Sequence, residues 1–146
     1  MDAESELNLF IDRFLPEVAA VGREAVAKLR ARLPEADVLV YDNYNALAVG
    51  FAPGEKSSQA VLSIAFYPRW CSLFLPRRID DPEKRLKGTG GVVGHIVLAS
   101  ATDLDEPYVA GLIDQAFLTA KRPLDPVHQG RLTIKSVSAK QRPRRP

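Results

Sequence analysis

The segment AVLSIAFY, residues 60–67, decides the fold of this chain. It is short and apolar at nearly every position, which predicts a strand buried on both faces in the middle of a sheet. Residues 68–70 (PRW) turn the chain, and residues 71–75 return as a hairpin partner. A polar, basic crossing that contains LKGTGG, residues 86–91, then leads into a further apolar strand at residues 92–98.

Helical patterns lie on both sides of these strands. Apolar residues recur at helical spacing over residues 7–15 and again over residues 18–33, and Pro16 separates the two predicted helices. A third helical stripe covers residues 109–120, and its start is predicted at Asp103 and Asp105, with Pro107 close behind.

Two more strands precede the central segment. Residues 38–41 form a short β-rich run, and residues 47–51 alternate large apolar residues with alanine and glycine. The resulting order predicts an α+β fold, with a mainly antiparallel sheet of about five strands. Two N-terminal helices and one C-terminal helix pack on one face of that sheet.

The charge divides the chain into two parts. Residues 1–120 carry 12 Lys/Arg against 17 Asp/Glu, a net charge of −5, whereas residues 121–146 carry 8 Lys/Arg and one Asp, a net charge of +7. We therefore predict a domain at 1–120 and a basic, Pro-rich tail at 121–146. In that tail residues 132–137 can add an edge strand, and residues 141–146 are expected to be disordered. The tail either contacts nucleic acid, folds back on the acidic domain or stays solvated.

Several classes of protein are disfavoured by composition. No apolar run approaches the roughly 20 residues that span a bilayer, so no membrane partner is expected. The acidic N-terminus does not resemble a signal peptide. Cys71 is the single cysteine, which excludes an intrachain disulfide and suits a reducing compartment. These features predict a cytoplasmic protein.

The segment 60–68 and the LKGTGG run before residues 92–98 resemble the YdhG-like domain family of bacteria, over residues 6–120. The resemblance implies a five-stranded antiparallel sheet backed by helices. The family is mostly described as a domain of unknown function, and a subset is described as frataxin-like intracellular iron chaperones. This chain departs from the family at YDNYN (residues 41–45), which lacks Met and Pro, and at FYPRW (residues 66–70), which lacks Lys and His. No metal or ligand role is therefore carried over to those positions.

The LKGTGG run does not predict a phosphate-binding loop. Its spacing fits neither common glycine-rich nucleotide motif, and a strand rather than a helix follows it. The glycines are expected to form a tight turn. Basic residues around this run either capture an anionic ligand or pair with the nearby acids Asp80, Asp81 and Glu83.

No catalytic or metal-binding constellation is visible, so we predict a non-enzymatic protein with no cofactor and no metal site. Cys71 with His95 forms a nucleophilic pair only if the fold brings them together, and a small buried cysteine is the other interpretation. His95, His128 and Cys71 do not have the spacing of a zinc site. An iron chaperone needs clustered surface carboxylates, and the candidates are Asp2, Glu4, Glu6, Asp12 and Glu17.

Aromatic residues near the predicted strand ends suggest a ligand-binding cleft, because apolar walls with a few polar groups are typical of such sites. The other interpretation is that these rings complete the rim of the core. The predicted ligand-binding residues are Tyr41, Asn43, Tyr44, Tyr67, Arg69, Trp70, Arg77 and Lys87.

The predicted function is a small binding or accessory domain for an unknown small ligand or protein partner, and a homodimer is left open. A frataxin-like iron chaperone and a nucleic-acid accessory protein, which makes weak contacts through the tail, are the alternatives.

Overall fold

The computed structural model describes residues 1–146 and contains three α-helices and six β-strands. The helices are α1 (Ala3–Asp12), α2 (Pro16–Arg32) and α3 (Pro107–Leu118). The strands are β1 (Asp37–Asp42), β2 (Leu47–Ala52), β3 (Leu62–Phe66), β4 (Cys71–Pro76), β5 (Val93–Leu98) and β6 (Leu132–Val137). The α+β class predicted from the sequence is confirmed.

The six strands form one sheet in the order β5-β4-β3-β2-β1-β6. Four neighbouring pairs are antiparallel, while β6 runs parallel to β1. The sheet is mainly antiparallel, as predicted, but it has six strands rather than about five and includes one parallel pair. The sixth strand is the edge strand that the sequence offered at residues 132–137, within the basic tail. It begins beside the start of β1, where the Val38 N–H donates to the Arg131 carbonyl at 2.8 Å.

Local sequence explains where the helices begin. The carboxylate of Asp2 accepts a hydrogen bond from the backbone N–H of Ser5 at 2.8 Å, which caps α1. Pro16 and Pro107 occupy the first turns of α2 and α3, where a missing N–H costs no helical hydrogen bond. Pro16 thus converts one long apolar pattern into two helices.

The helices bury their apolar stripes against one face of the sheet. Alternate strand residues such as Val49, Ile64 and Leu73 are fully buried and belong to one hydrophobic core with the helices. The rings of Phe14 and Phe66 meet in this core with centroids 5.6 Å apart. The intervening strand residues lie on the opposite face, which no α-helix covers and which we call the open face.

The segment that follows β6 is packed against the domain. Arg144 is buried, and its guanidinium donates to the Asp42 carboxylate at 2.8 Å and to the Asn43 carbonyl at 2.6 Å. Asp42 is also buried, and its backbone carbonyl accepts from the Gln141 side chain at 3.0 Å. The sequence predicts disorder for residues 141–146, but the structure places this segment, which we call the C-terminal latch, across the end of β1. The sequence does not reveal this order, because a single buried ion pair between Asp42 and Arg144 leaves no periodic pattern in the sequence.

We predict that the Asp42–Arg144 pair holds the latch in place. Arg144→Ala leaves the Asp42 carboxylate buried with only Arg13, 3.5 Å away, as an ionic partner. Loss of one member of a buried pair costs about 3–5 kcal/mol of unfolding free energy. Urea unfolding measures this loss, and Lys140→Ala, at an exposed position without side-chain partners, is the control. Equal stability of the two variants would contradict the prediction.

Two helix glycines give a further test of how α2 packs. A Cβ at Gly22 would overlap the Phe66 ring, whereas a Cβ at Gly111 in α3 meets no atom within 4 Å. We expect Gly22→Ala to destabilise the protein by about 1–3 kcal/mol through overpacking. Gly111→Ala should instead stabilise it by about 0.5–1 kcal/mol, because alanine favours the helix. Thermal unfolding of both variants gives the sign of each change.

Candidate functional site

The open face carries a groove of about 490 Å³ near the β1–β2 and β3–β4 turns. Its floor is formed by small side chains on two neighbouring strands, Ala48 of β2 and Ser63 and Ala65 of β3. These residues alternate with core residues, so the same strands that fill the core leave a shallow depression behind it. The volume lies in the range of small-molecule sites.

Aromatic and polar side chains form the walls of this groove. Tyr44, Tyr67 and Phe74 supply aromatic rings, and Asn43 supplies a carboxamide. Tyr67 also stacks on Trp70 with ring centroids 5.1 Å apart. Burial raises the pKa of Tyr67, so its side chain is a neutral phenol that can donate or accept a hydrogen bond at physiological pH.

The segment after β6, which includes Ser138 and the C-terminal latch, completes one side of the groove. Ser138 lines the groove directly. The backbone N–H of Arg142 donates to the Tyr44 carbonyl at 2.9 Å, and its guanidinium lies 5.6 Å from the centroid of the Tyr44 ring. The position of Tyr44, which follows the first strand, therefore depends on Arg142, which follows the last strand.

The predicted site residues divide into separate groups. Asn43, Tyr44 and Tyr67 line the groove, and Trp70 joins them through its stack on Tyr67. The others lie outside the groove lining. Tyr41 donates to the Ser57 hydroxyl at 2.6 Å, and Arg69 is exposed. Arg77 follows the end of β4, and Lys87 bridges His95 along the outer edge of β5.

Sequence reasoning missed the floor of the groove and two of its walls. The floor residues Ala48, Ser63 and Ala65 are of types that do not by themselves indicate a binding site. Phe74 has the character of an ordinary strand residue. The alternation of small residues in β2 is the one signal that points to this floor. Ser138 was missed because it lies in the segment assigned to a tail.

Arg77 organises the glycine-rich crossing. Its guanidinium donates to the backbone carbonyls of Lys87, Gly88, Gly90 and Val93 at 2.7–3.1 Å. Gly88, Gly90 and Gly91 all have positive φ, which favours glycine. The loop thus directs carbonyl oxygens at a cation and continues into a strand, as expected of a tight turn and unlike a phosphate-binding loop.

Asp81 anchors the other part of this crossing. Burial pushes the pKa of its carboxyl upward, but hydrogen bonds from the Tyr108 hydroxyl and from the backbone N–H groups of Leu86 and Arg85 outweigh that effect and lower the pKa. Arg85 forms a two-point ion pair with Glu106, at 2.8 and 3.2 Å. Asp81 therefore serves the structure of the crossing itself, and Arg85 pairs with an acid outside the crossing.

The fold separates Cys71 from His95. Cys71 faces the helices, where its thiol lies 3.5 Å from the Val18 carbonyl. His95 lies on the open face beside the Phe74 ring, with centroids 5.5 Å apart. The two side chains are on opposite faces of the sheet and form no nucleophilic pair.

We predict that the Cys71 thiol is unreactive in the native protein. Burial raises its pKa to about 12, so about one thiol in ten thousand is ionised at pH 8. A thiol-reactive chromogenic disulfide should therefore label native protein far more slowly than protein unfolded in urea. Equal labelling rates would contradict the buried position.

The acidic residues considered for iron are partly engaged in ion pairs. Glu4 forms a two-point pair with Arg30 at 2.8 Å, and Asp12 pairs with Arg23 at 2.7 Å. The structure brings together no group of three or more His, Cys, Asp or Glu side chains that could hold a metal ion.

Comparisons with protein-family models, curated proteins and solved structures found no significant match. The resemblance to the YdhG-like family therefore stays a prediction. None of the three helices has both the length and the apolar character needed to cross a membrane. Fold and site together define the molecule as an α+β sandwich with a groove on its open sheet face.

Proposed function

We propose that this chain is a non-enzymatic binding domain whose ligand occupies the open-face groove. The observation that carries the proposal is the floor of small side chains between aromatic walls, on a sheet whose other face is filled by the core. Small-molecule sites commonly combine apolar walls with a few polar groups in this way.

The chemistry of the lining favours a small molecule with a flat apolar body and polar edges. The rings of Tyr44 and Tyr67 offer surfaces for stacking, and Ala48 and Ala65 allow a planar body to approach the sheet. Asn43 can donate and accept hydrogen bonds at the edge of such a ligand. No formal charge lines the groove, so a neutral ligand fits it best.

The two alternatives have less support from the geometry. An iron chaperone requires free carboxylates, and Glu4 and Asp12 are paired with arginines. A nucleic-acid accessory protein requires a free basic tail, and within the tail Arg144 is buried against Asp42. The resemblance to the YdhG-like family agrees with the proposal but adds no ligand to it.

We predict that small aromatic compounds bind the groove and that Ala48→Phe blocks them. The larger side chain fills the floor without touching the helix-facing core, so affinity should fall at least about tenfold. Trp70 is the single tryptophan and stacks on a groove wall, so its fluorescence reports binding. Chemical shifts of residues 43–48 and 63–67 in a fragment screen by NMR locate the ligand.

Val97→Phe is the matched control for this experiment. Val97 is an exposed residue of the edge strand β5, outside the groove lining. Binding should persist in this variant. A screen that leaves the groove residues and Trp70 unchanged would contradict the proposal and direct attention to a protein partner, and binding that survives in the Ala48→Phe variant would place the ligand elsewhere.

A further inference from the structure

A second, larger cavity of about 920 Å³ lies beyond the opposite ends of the strands. The β2–β3 loop, the end of β4, the start of β5 and the segment after α3 surround it. Strands of five or six residues span about 17–20 Å, so this cavity is separate from the open-face groove.

The cavity is lined by four basic residues and by no acidic residue. Arg77, Arg78, Lys121 and Arg122 are these four, and we call the cavity the basic pocket. The rest of the lining is polar or small apolar in character, including Ser58, so nothing within the wall neutralises the four charges. A low-dielectric concave wall of one charge sign concentrates ions of the opposite sign.

Two of the four cations are fixed by the fold. Arg77 donates to backbone carbonyls of the glycine-rich crossing, and Arg78 donates to the Thr119 hydroxyl and to the Ala116 carbonyl at the end of α3. Their partners are dipoles rather than carboxylates. Both arginines therefore keep a full positive charge beside the pocket at a defined position.

The side chains of the other two cations have no partner within the protein. Lys121 and Arg122 form no ion pair and no side-chain hydrogen bond in the structure. They follow the end of α3 and line the pocket directly. An arginine next to a lysine on such a wall supplies several N–H donors to one anionic group.

An unsatisfied acceptor lies in the same wall. The side-chain oxygen of Gln59 is buried without a hydrogen-bond partner. Gly54 lies between this oxygen and Arg122, since a Cβ at position 54 would stand 2.5 Å from the Gln59 oxygen and 3.1 Å from an Arg122 nitrogen. Glycine at this position keeps the acceptor and the cation close to one another. Because this oxygen is closed to solvent, a ligand donor reaches it only when the Gln59 side chain turns toward the pocket, and the hydrogen bond that the oxygen lacks is then made.

We propose that the basic pocket binds a phosphorylated small molecule that also carries hydroxyl groups. The phosphate lies against Lys121 and Arg122, within the positive field of Arg77 and Arg78, and a hydroxyl of the ligand donates to the Gln59 oxygen after that side chain has turned toward the pocket. The class includes sugar phosphates and nucleotides, which share this chemistry. The site does not depend on the open-face groove.

The test uses the full chain and measures binding of ribose 5-phosphate, AMP and inorganic phosphate by NMR titration. We expect saturable binding of the first two, with shifts in residues 54–61 and 120–122 and no change in Trp70 fluorescence. Comparison of ribose 5-phosphate with AMP separates a sugar phosphate site from a nucleotide site. Absence of saturable binding by either compound at millimolar concentration would overturn the proposal.

A double variant tests the two cations that have no partner. Lys121→Gln with Arg122→Gln should weaken binding of ribose 5-phosphate at least about tenfold, since charge-assisted hydrogen bonds are the strong ones. The control is Arg131→Gln with Lys140→Gln, which removes the same charge from exposed residues without side-chain partners. An equal loss of affinity in both double variants would show that the ligand is attracted to basic surface in general, and it would overturn the proposal of a specific site.

Gln59→Met tests the hydroxyl contact with a side chain of similar size. Affinity for ribose 5-phosphate should fall about three- to tenfold, while affinity for inorganic phosphate should not change. An equal effect on both anions would overturn the role of Gln59. Inorganic phosphate that binds as tightly as ribose 5-phosphate would overturn the hydroxyl contact itself.

Discussion

The contact between Gly22 and the Phe66 ring is the constraint on which the architecture depends. The ring occupies the space that a side chain on α2 would need, so the helix approaches β3 closely. Phe66 also meets Phe14, at the junction between the two N-terminal helices. Because the large side chains of β2 and β3 are committed to this face, the opposite face receives alanine and serine. The core and the groove are two results of one alternation along the same strands.

A second constraint joins the beginning of the sheet to its last strand. Asp42 ends β1 and accepts from Arg144 in the latch, while Asp37 begins β1 and accepts from the Arg131 backbone at 2.9 Å and contacts the His128 ring nitrogen at 2.9 Å. Both ends of β1 are therefore fixed by residues outside the predicted domain. Some of the basic residues in the region 121–146 are therefore engaged within the protein. Arg142 also helps to fix Tyr44 at the groove.

The sequence patterns predicted the helices and the strands, including the edge strand at residues 132–137, because each has its own periodicity. Residues 60–67 predict β3, and Pro16 and Pro107 mark the starts of helices. The register of β6 beside β1 depends on a parallel pairing about 94 residues apart, which no local pattern encodes. The floor of the groove was not predicted for a similar reason. A small residue such as alanine forms a groove floor only when larger residues surround it in the fold, and a local sequence pattern does not show this. The basic pocket contains Arg77 from the predicted site, but it brings this residue together with Lys121 and Arg122 only through tertiary packing.

The parallel pairing of β6 has a consequence for how the protein forms in the cell. During synthesis β1 and β2 emerge early, but the outer edge of β1 has no partner until β6 follows much later. Contacts between residues so far apart in sequence form slowly. For that interval a ribosome-bound chain presents an unpaired strand edge, the kind of surface through which sheets of different molecules join. Docking of β6 therefore closes an edge through which nascent chains could otherwise aggregate.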